Sequence, residues 1–262
     1  MSGYVKVNGT RVFYLSQGDG PAVLFLHAGV ADHRMWRHQV GAFPGMQTVA
    51  FDRRGFGRSQ WEAAAFSDLD DSLAVIDHLA LSNPVVVGCS VGGSLALRLA
   101  RARPELVRGL VLVGADAPGF EPERYQSPHW PPAVKAFEAG DLERVAQLDA
   151  EMWVVGVGRT RDDVDDDVFH LVQEMDLIPL ETETEREKHQ NDQRLDSLSD
   201  LQMPVLVIVG QHDMPDLVES AHHLAARLSD SPVAIIEGSA HLPSMERPEQ
   251  FNRHLSDFFA TL

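Results

Sequence analysis

Six short, unbroken apolar runs constrain this chain more than any other feature: Ala22–Leu26, Thr48–Phe51, Val85–Val87, Leu110–Val113, Val205–Val209 and Val233–Ile236. A strand that is apolar at every position has no face to offer water. It belongs in a parallel sheet covered on both sides by helices. The intervening segments supply those helices. Leu69, Leu73, Ile76 and Leu79 recur at helical spacing, as do Leu217, Ala221, Leu224 and Leu228, and then Phe251, Leu255, Phe258 and Leu262. Ahead of them, Tyr4–Val7 and Arg11–Leu15 flank Asn8-Gly9, a pair that tolerates positive φ and predicts a hairpin. The expected fold class is α/β, a doubly wound, mostly parallel sheet with an N-terminal antiparallel hairpin.

The alternation breaks once. Between Pro118 and about Asp200 no strand-like run occurs, while two segments have helical periodicity. Asp141 is placed to cap a helix carrying Leu142, Val145, Leu148, Met152 and Val155, and a second carries Val164, Val168, Leu171, Val172 and Met175. The stretch from Pro179 to Leu198 is too polar to assign. Residues 118–199 are therefore expected to form a helical cap over a core built from 1–117 and 200–262.

Composition removes several classes of function. No segment of the 262 residues approaches the roughly 20 consecutive apolar residues that span a bilayer. The N-terminus has neither the basic start nor the apolar stretch of a signal peptide. With one cysteine, Cys89, the chain has no internal disulfide, and a cytoplasmic location is expected. The formal charge of −17 repels phosphate backbones and anionic lipid, so neither nucleic acid nor membrane is an expected partner. The acidic runs Asp162–Asp167 and Glu181–Glu187 read as solvated faces. The first lacks the glycine turn and distal Glu of a calcium loop, so no metal is expected.

Gly88-Cys89-Ser90-Val91-Gly92 has the G-x-S-x-G pattern of a nucleophile elbow, preceded by a strand and followed by the helix-forming Leu95, Leu97 and Leu99. The turn must be sharp, and glycines two residues either side remove the Cβ atoms that would collide. Ser90 is the candidate nucleophile, whereas Cys89 reads as a small core residue. A serine needs a base within reach. Of the later histidines, His222, His223 and His254 fall on helices, but His241 sits in a loop directly after a buried run. Asp213, at the end of the run Val205–Val209, is the candidate acid, with Asp116 its competitor at an equivalent strand end. Val91 and Gly29 are the candidate oxyanion-hole donors, with Val30 the alternative to Gly29. His27 reads as a brace for that loop.

These motifs appear in order with Leu26-His27-Ala28-Gly29, Trp36, the segment Asp52–Ser59, Gly210–Asp213, Gly238–His241, Glu246 and Pro248. Together they resemble the α/β-hydrolase superfamily, and within it the carboxylesterase and enol-lactonase-like branch. The resemblance covers the core and not the insertion. It implies that Ser90, Asp213 and His241 act as a triad on carboxylic esters, with Gly29 and Val91 holding the oxyanion and no cofactor. Ala28 departs from the glycine common at that position. Ser90 separates the chain from haloalkane dehalogenases and most epoxide hydrolases, which carry a carboxylate at the elbow.

The expected partner is a small-molecule ester or lactone, bound by a monomer or homodimer. Alternatives on the same residues are a lactonase, acting on an enol-lactone or acyl-homoserine lactone, and a C–C bond hydrolase. A small-molecule receptor is the non-enzymatic alternative. Val30, Trp130, Phe137, Met152, Trp153 and Met175 are candidates for the pocket wall. A mainly apolar lining favours a small or medium acyl group over a charged one, with a carboxylate held by Arg124, Arg159 or Arg161 as the alternative.

Overall fold

The computed structural model describes every residue except Asn8, Arg194, Ser199, Asp200, Asp230 and Ser231. The apolar runs become strands β3 (Ala22–Leu26), β4 (Gln47–Phe51), β5 (Val85–Cys89), β6 (Gly109–Val113), β7 (Val205–Gly210) and β8 (Ala234–Ile236). With β1 (Ser2–Val7) and β2 (Thr10–Gln17) they form one eight-stranded sheet, ordered β1-β2-β4-β3-β5-β6-β7-β8. The first two joins, β1 with β2 and β2 with β4, are antiparallel, and all later ones are parallel. Val7 pairs with Thr10, leaving a two-residue turn in which Gly9 takes φ 86°. Asn8, the other expected turn residue, lies outside the described residues.

Alternation along each strand divides the core. Leu24, Leu26, Val86, Leu110 and Leu112 face one buried cluster, completed by α1 (Asp68–His78), α2 (Val91–Ala102) and α7 (Pro215–Leu228). Val23, Phe25, Val85, Val87, Val111 and Val113 face the other, where Trp36 and the last helix supply Phe251 and Leu255. Each such side chain contributes roughly 1.5–3 kcal/mol on burial, which fixes the register of every strand.

Among the described residues, four α-helices lie between β6 and β7: α3 (Trp130–Glu138), α4 (Leu142–Ala150), α5 (Asp166–Leu180) and α6 (Glu183–His189). Asp141 caps α4 as expected, its side chain accepting from Arg144 N. The helix expected to run on through Val155 stops at Ala150. It passes into a single π-type turn, Glu151–Val155, ended by Gly156 at φ 73°. The acidic residues of the run Asp162–Asp167 are exposed, as expected of a solvated face, and two of them also cap helices. Asp163 closes a capping box with Thr160, and Asp165 caps α5. The expected boundary at 117/118 lies in the loop after β6, whereas the one at 199/200 falls outside the described residues. The chain ends with α8 (Pro243–Glu246) and α9 (Pro248–Phe259). Among the described residues no helix is long and apolar enough to cross a membrane.

Candidate active site

The sheet brings its chemistry to one edge, outside the carboxyl ends of the parallel strands. At the end of β5 the chain turns into α2 through Ser90, which takes φ 54° and ψ −117°. A non-glycine residue held there stores about 1–3 kcal/mol of strain, so its surroundings must enforce it. They do so by close approach of backbone. A Cβ at Gly88 would run into Gly92 O, and one at Gly92 into Leu26 O. One at Gly93 would stand 2.6 Å from Ala115 Cβ. Ser90 N donates to Val113 O at 2.8 Å, tying the turn to β6.

The loop after β8 carries His241 to this turn, where the Cys89 thiol donates to His241 O at 3.5 Å. Asp213, just past β7, holds the imidazole from behind. His241 Nδ1–H donates to its two oxygens at 3.0 and 2.9 Å. That leaves Nε2 as the acceptor, the tautomer a general base needs. The pair is nearly inaccessible, with His241 2% and Asp213 4% exposed. Gly114, at φ 51°, gives it room, since a Cβ there would lie 2.9 Å from Asp213 Oδ2 and 3.0 Å from His241 Nδ1. Asp116, the competitor, is instead half exposed and paired with Arg124. Burial, and then the charge of Asp213, pushes the Cys89 thiol well up, which keeps it protonated.

Two residues that fix the histidine loop were assigned no such role from sequence. Glu246 Oε1 accepts from Ala240 N at 2.8 Å, and its Oε2 pairs with Arg159 at 2.7 Å. Arg159 also donates to Val155 O and Gly238 O at 2.8 and 2.7 Å. Arg159 is therefore not free for a substrate carboxylate, which removes it from that alternative. Arg161 is likewise turned away, bonded to Val164 O and Asp166. Arg124 bridges Asp116 and Asp216. Trp153, in the π-type turn, accepts from His241 N at 3.1 Å and lays its ring 4.6 Å from the imidazole.

The loop after β3 is braced by His27, as expected. Its Nδ1–H donates to Ala28 O at 2.7 Å while Nε2 accepts from Arg53 N at 2.9 Å. Burial holds His27 well below the usual histidine range, which suits the neutral ring these bonds require. Gly29 follows, and a Cβ on it would sit 3.6 Å from Val91 Cγ2, so the two candidate donors are neighbours. Asp52 organises the expected structural turn, accepting from His33 N and from Arg58 N at 2.7 and 2.8 Å.

A cavity of about 670 Å³ opens on this edge, lined by Gly29, Val30, Val91, Trp130, Phe137 and Trp153 among others. A second, of about 400 Å³, is lined by Ser90 and shares Trp130 and Trp153 with the first. Met152 and Met175 do not belong to either wall, correcting the sequence expectation. Met152 packs with Ala133, Leu148, Met214 and Leu217, and Met175 joins Val168 and Val172 in the cluster beneath the sheet. Their helical spacing marked a buried face without telling which buried space it meets. Among the described residues, Asp32, His33 and Asp52 offer ligand atoms within 4.8 Å of one another. Those carboxylates are already committed, Asp32 to Arg34 and Asp52 to His33 and Arg58.

The sequence profile of the alpha/beta hydrolase fold matches residues 21–248. The chain belongs to this family. The α/β hydrolase is 25% identical to the AB hydrolase superfamily protein YisY of Bacillus subtilis (strain 168), covering 98% of this chain and 99% of that one. It is also 25% identical to 3-oxoadipate enol-lactonase 2 of Acinetobacter baylyi, covering 90% and 87%. An esterase from Exiguobacterium antarcticum has the same fold, with a TM-score of 0.81, 22% identity and coverage of 98% and 99%. The hydrolase fold thus comes with esterase and lactonase neighbours.

Proposed function

We propose that this α/β hydrolase cleaves carboxylic esters through Ser90, His241 and Asp213. The observation carrying the proposal is the buried Asp213–His241 pair delivered to a strained serine turn, at 2.9 Å between Oδ2 and Nδ1. In the first half-reaction Ser90 Oγ attacks the ester carbonyl and its proton passes to His241 Nε2. Asp213 stabilises the imidazolium and holds its orientation. The Gly29 and Val91 N–H groups stabilise the oxyanion as the tetrahedral intermediate forms. Collapse expels the alcohol, which takes the proton from His241. Water then attacks the acyl-enzyme with His241 again as base, releasing the acid and restoring Ser90. Residues 118–199 act as a cap that shuts the carbonyl away from bulk water, its Trp130, Phe137 and Trp153 forming apolar walls opposite Val30 of the core.

Hydrolysis of a lactone is the second proposal, favoured by the likeness to an enol-lactonase over most of both chains. It uses the same steps, with the leaving alcohol remaining attached to the acyl group. A panel of p-nitrophenyl esters from acetate to dodecanoate, run beside several lactones, separates the two. Turnover of short esters that disappears in Ser90→Ala supports the esterase, and turnover of lactones alone supports the lactonase. Folded protein that turns over neither and resists a fluorophosphonate at Ser90 overturns both.

A further inference from the structure

One wall of the larger cavity takes no part in the hydrolytic steps. Asp149 on α4, Asp176 on α5 and Glu183 at the start of α6 all line it. Asp176 is only 3% exposed, and its Oδ2 has no hydrogen-bond partner. Among the described residues no ion pair holds any of the three. The Asp149 and Asp176 carboxyls instead bond to each other, which requires a proton on one of them. Burial pushes Asp149 up to about 6, and burial together with the Asp149 charge raises Asp176 well above the usual range. Two guanidiniums reach the same cavity. Arg53 and Arg186 each lie 4.2 Å from the Phe56 ring, and Arg53 is neutralised by Asp68 at 3.2 Å. With Glu187 also on the wall, carboxyls outnumber the remaining cation.

We propose that Asp149, Asp176 and Glu183 form the binding site for a protonated amine carried by the substrate. This rests on the hydrolase proposal and names its substrate class: an amine-bearing ester whose ammonium lies against α4–α6 while its carbonyl meets Ser90. An ammonium brings three N–H donors to a wall of carboxyls that no ion pair holds, with the unpartnered Asp176 Oδ2 among their acceptors. The rings of Trp130, Phe137 and Trp153 line the same space and favour an organic cation over a neutral chain. A metal ion fits less well, because the grouping close enough to share one among the described residues is Asp32, His33 and Asp52, not this wall. The chain's charge of −17 also draws cations toward it.

The test is a series of 4-nitrophenyl esters of ω-amino acids, each paired with the alkanoyl ester of equal length and corrected for its spontaneous hydrolysis. In the wild type the ratio of kcat/KM is expected to favour the best amine ester by roughly 10- to 100-fold. That ratio falls toward one in Asp176→Asn and in Glu183→Gln, the second change lying at a half-buried position. A ratio of one or less throughout the series, in protein that hydrolyses the alkanoyl esters, overturns the amine site and leaves the hydrolase proposal standing. So does a preference that survives in both variants. Calorimetry with n-hexylammonium covers the opposite case. Binding to wild type that is lost in Glu183→Gln, in protein that hydrolyses no ester, keeps the amine site and removes the hydrolase. Absence of both binding and preference removes the amine site outright.

Discussion

The core and the acidic wall of the larger cavity treat carboxylates in opposite ways. In the core each is matched. Arg54 grips Asp71 through two bonds of 3.0 and 2.8 Å, both side chains being essentially inaccessible. Arg53 meets Asp68, Arg159 meets Glu246, and His241 meets Asp213. In the insertion Asp149, Asp176 and Glu183 border a cavity without an ion-paired partner among the described residues. A buried charge with its partner in the chain fixes geometry, because removing either member strands the other. A buried carboxyl whose complement is missing keeps its proton, or meets its complement in something that binds.

The largest expected effects fall on the core side. Ser90→Ala removes the nucleophile and is expected to lower kcat on the order of 10⁶-fold, read from ester hydrolysis by protein whose circular dichroism is unchanged. Asp213→Asn keeps the volume but favours the wrong imidazole tautomer, for a loss of about 10⁴-fold. An Asp213→Asn protein with near-normal kcat would break the comparison, because that buried pair would then be doing structural work only.

Stability sharpens it. Arg54→Ala leaves Asp71 buried without its cation and is expected to cost about 3–5 kcal/mol in urea unfolding. Met175→Ala opens a hole beneath the sheet and should cost about 2–5 kcal/mol while leaving KM close to wild type. A large KM change with little loss of stability would return Met175 to the pocket wall.

Asp149→Asn gives the smallest and most diagnostic effect. Asp149 titrates near 6 in the folded chain and near its ordinary 3.8 when unfolded. Its folded pKa is raised, so the stability it contributes is full below about pH 4 and declines as pH rises through about 6. The decline amounts to at most about 3 kcal/mol. Asp71 and Glu246 also titrate at about 6 and about 7, in both proteins, so the wild-type-minus-Asp149→Asn difference in urea midpoint is the reading, and it should fall as pH rises across that range. A difference that rises instead would mean the carboxyl has found a cation.

The sheet and its polar edge were readable because both obey short-range rules. The unbroken apolar runs located β3 to β8 to within about two residues at each end, and the glycines around Ser90 announced a turn no other residue could make. The insertion was less legible. Trp130-Pro131-Pro132 looks like a break, yet proline is tolerated in the first turn of a helix, and α3 starts there. Helix α6 is polar on every side, so no periodicity marks it. Arg159 and Glu246 are far apart in sequence, and nothing local foretells their meeting. A signal for the acidic wall was present: Asp149 stands four residues after Val145, and Asp176 four after Val172, so each interrupts an apolar stripe. A carboxyl on the buried stripe of a helix needs a reason, whereas one on the outer face does not.

The crowding at Gly88, Gly92 and Gly93 has a consequence for how such a hydrolase changes its diet. Backbone oxygens and the Ala115 methyl group already occupy the space that a new side chain would need there. The turn therefore has essentially one viable sequence at those three points, and a mutational library spread over it would return mostly dead clones. Trp130, Val134 and Phe137, by contrast, meet the cavity from a helix that carries none of the reacting groups. Inheritance can hold the cutting edge constant and rewrite the handle, and a laboratory selection for new substrates should be seeded on α3 and its neighbours.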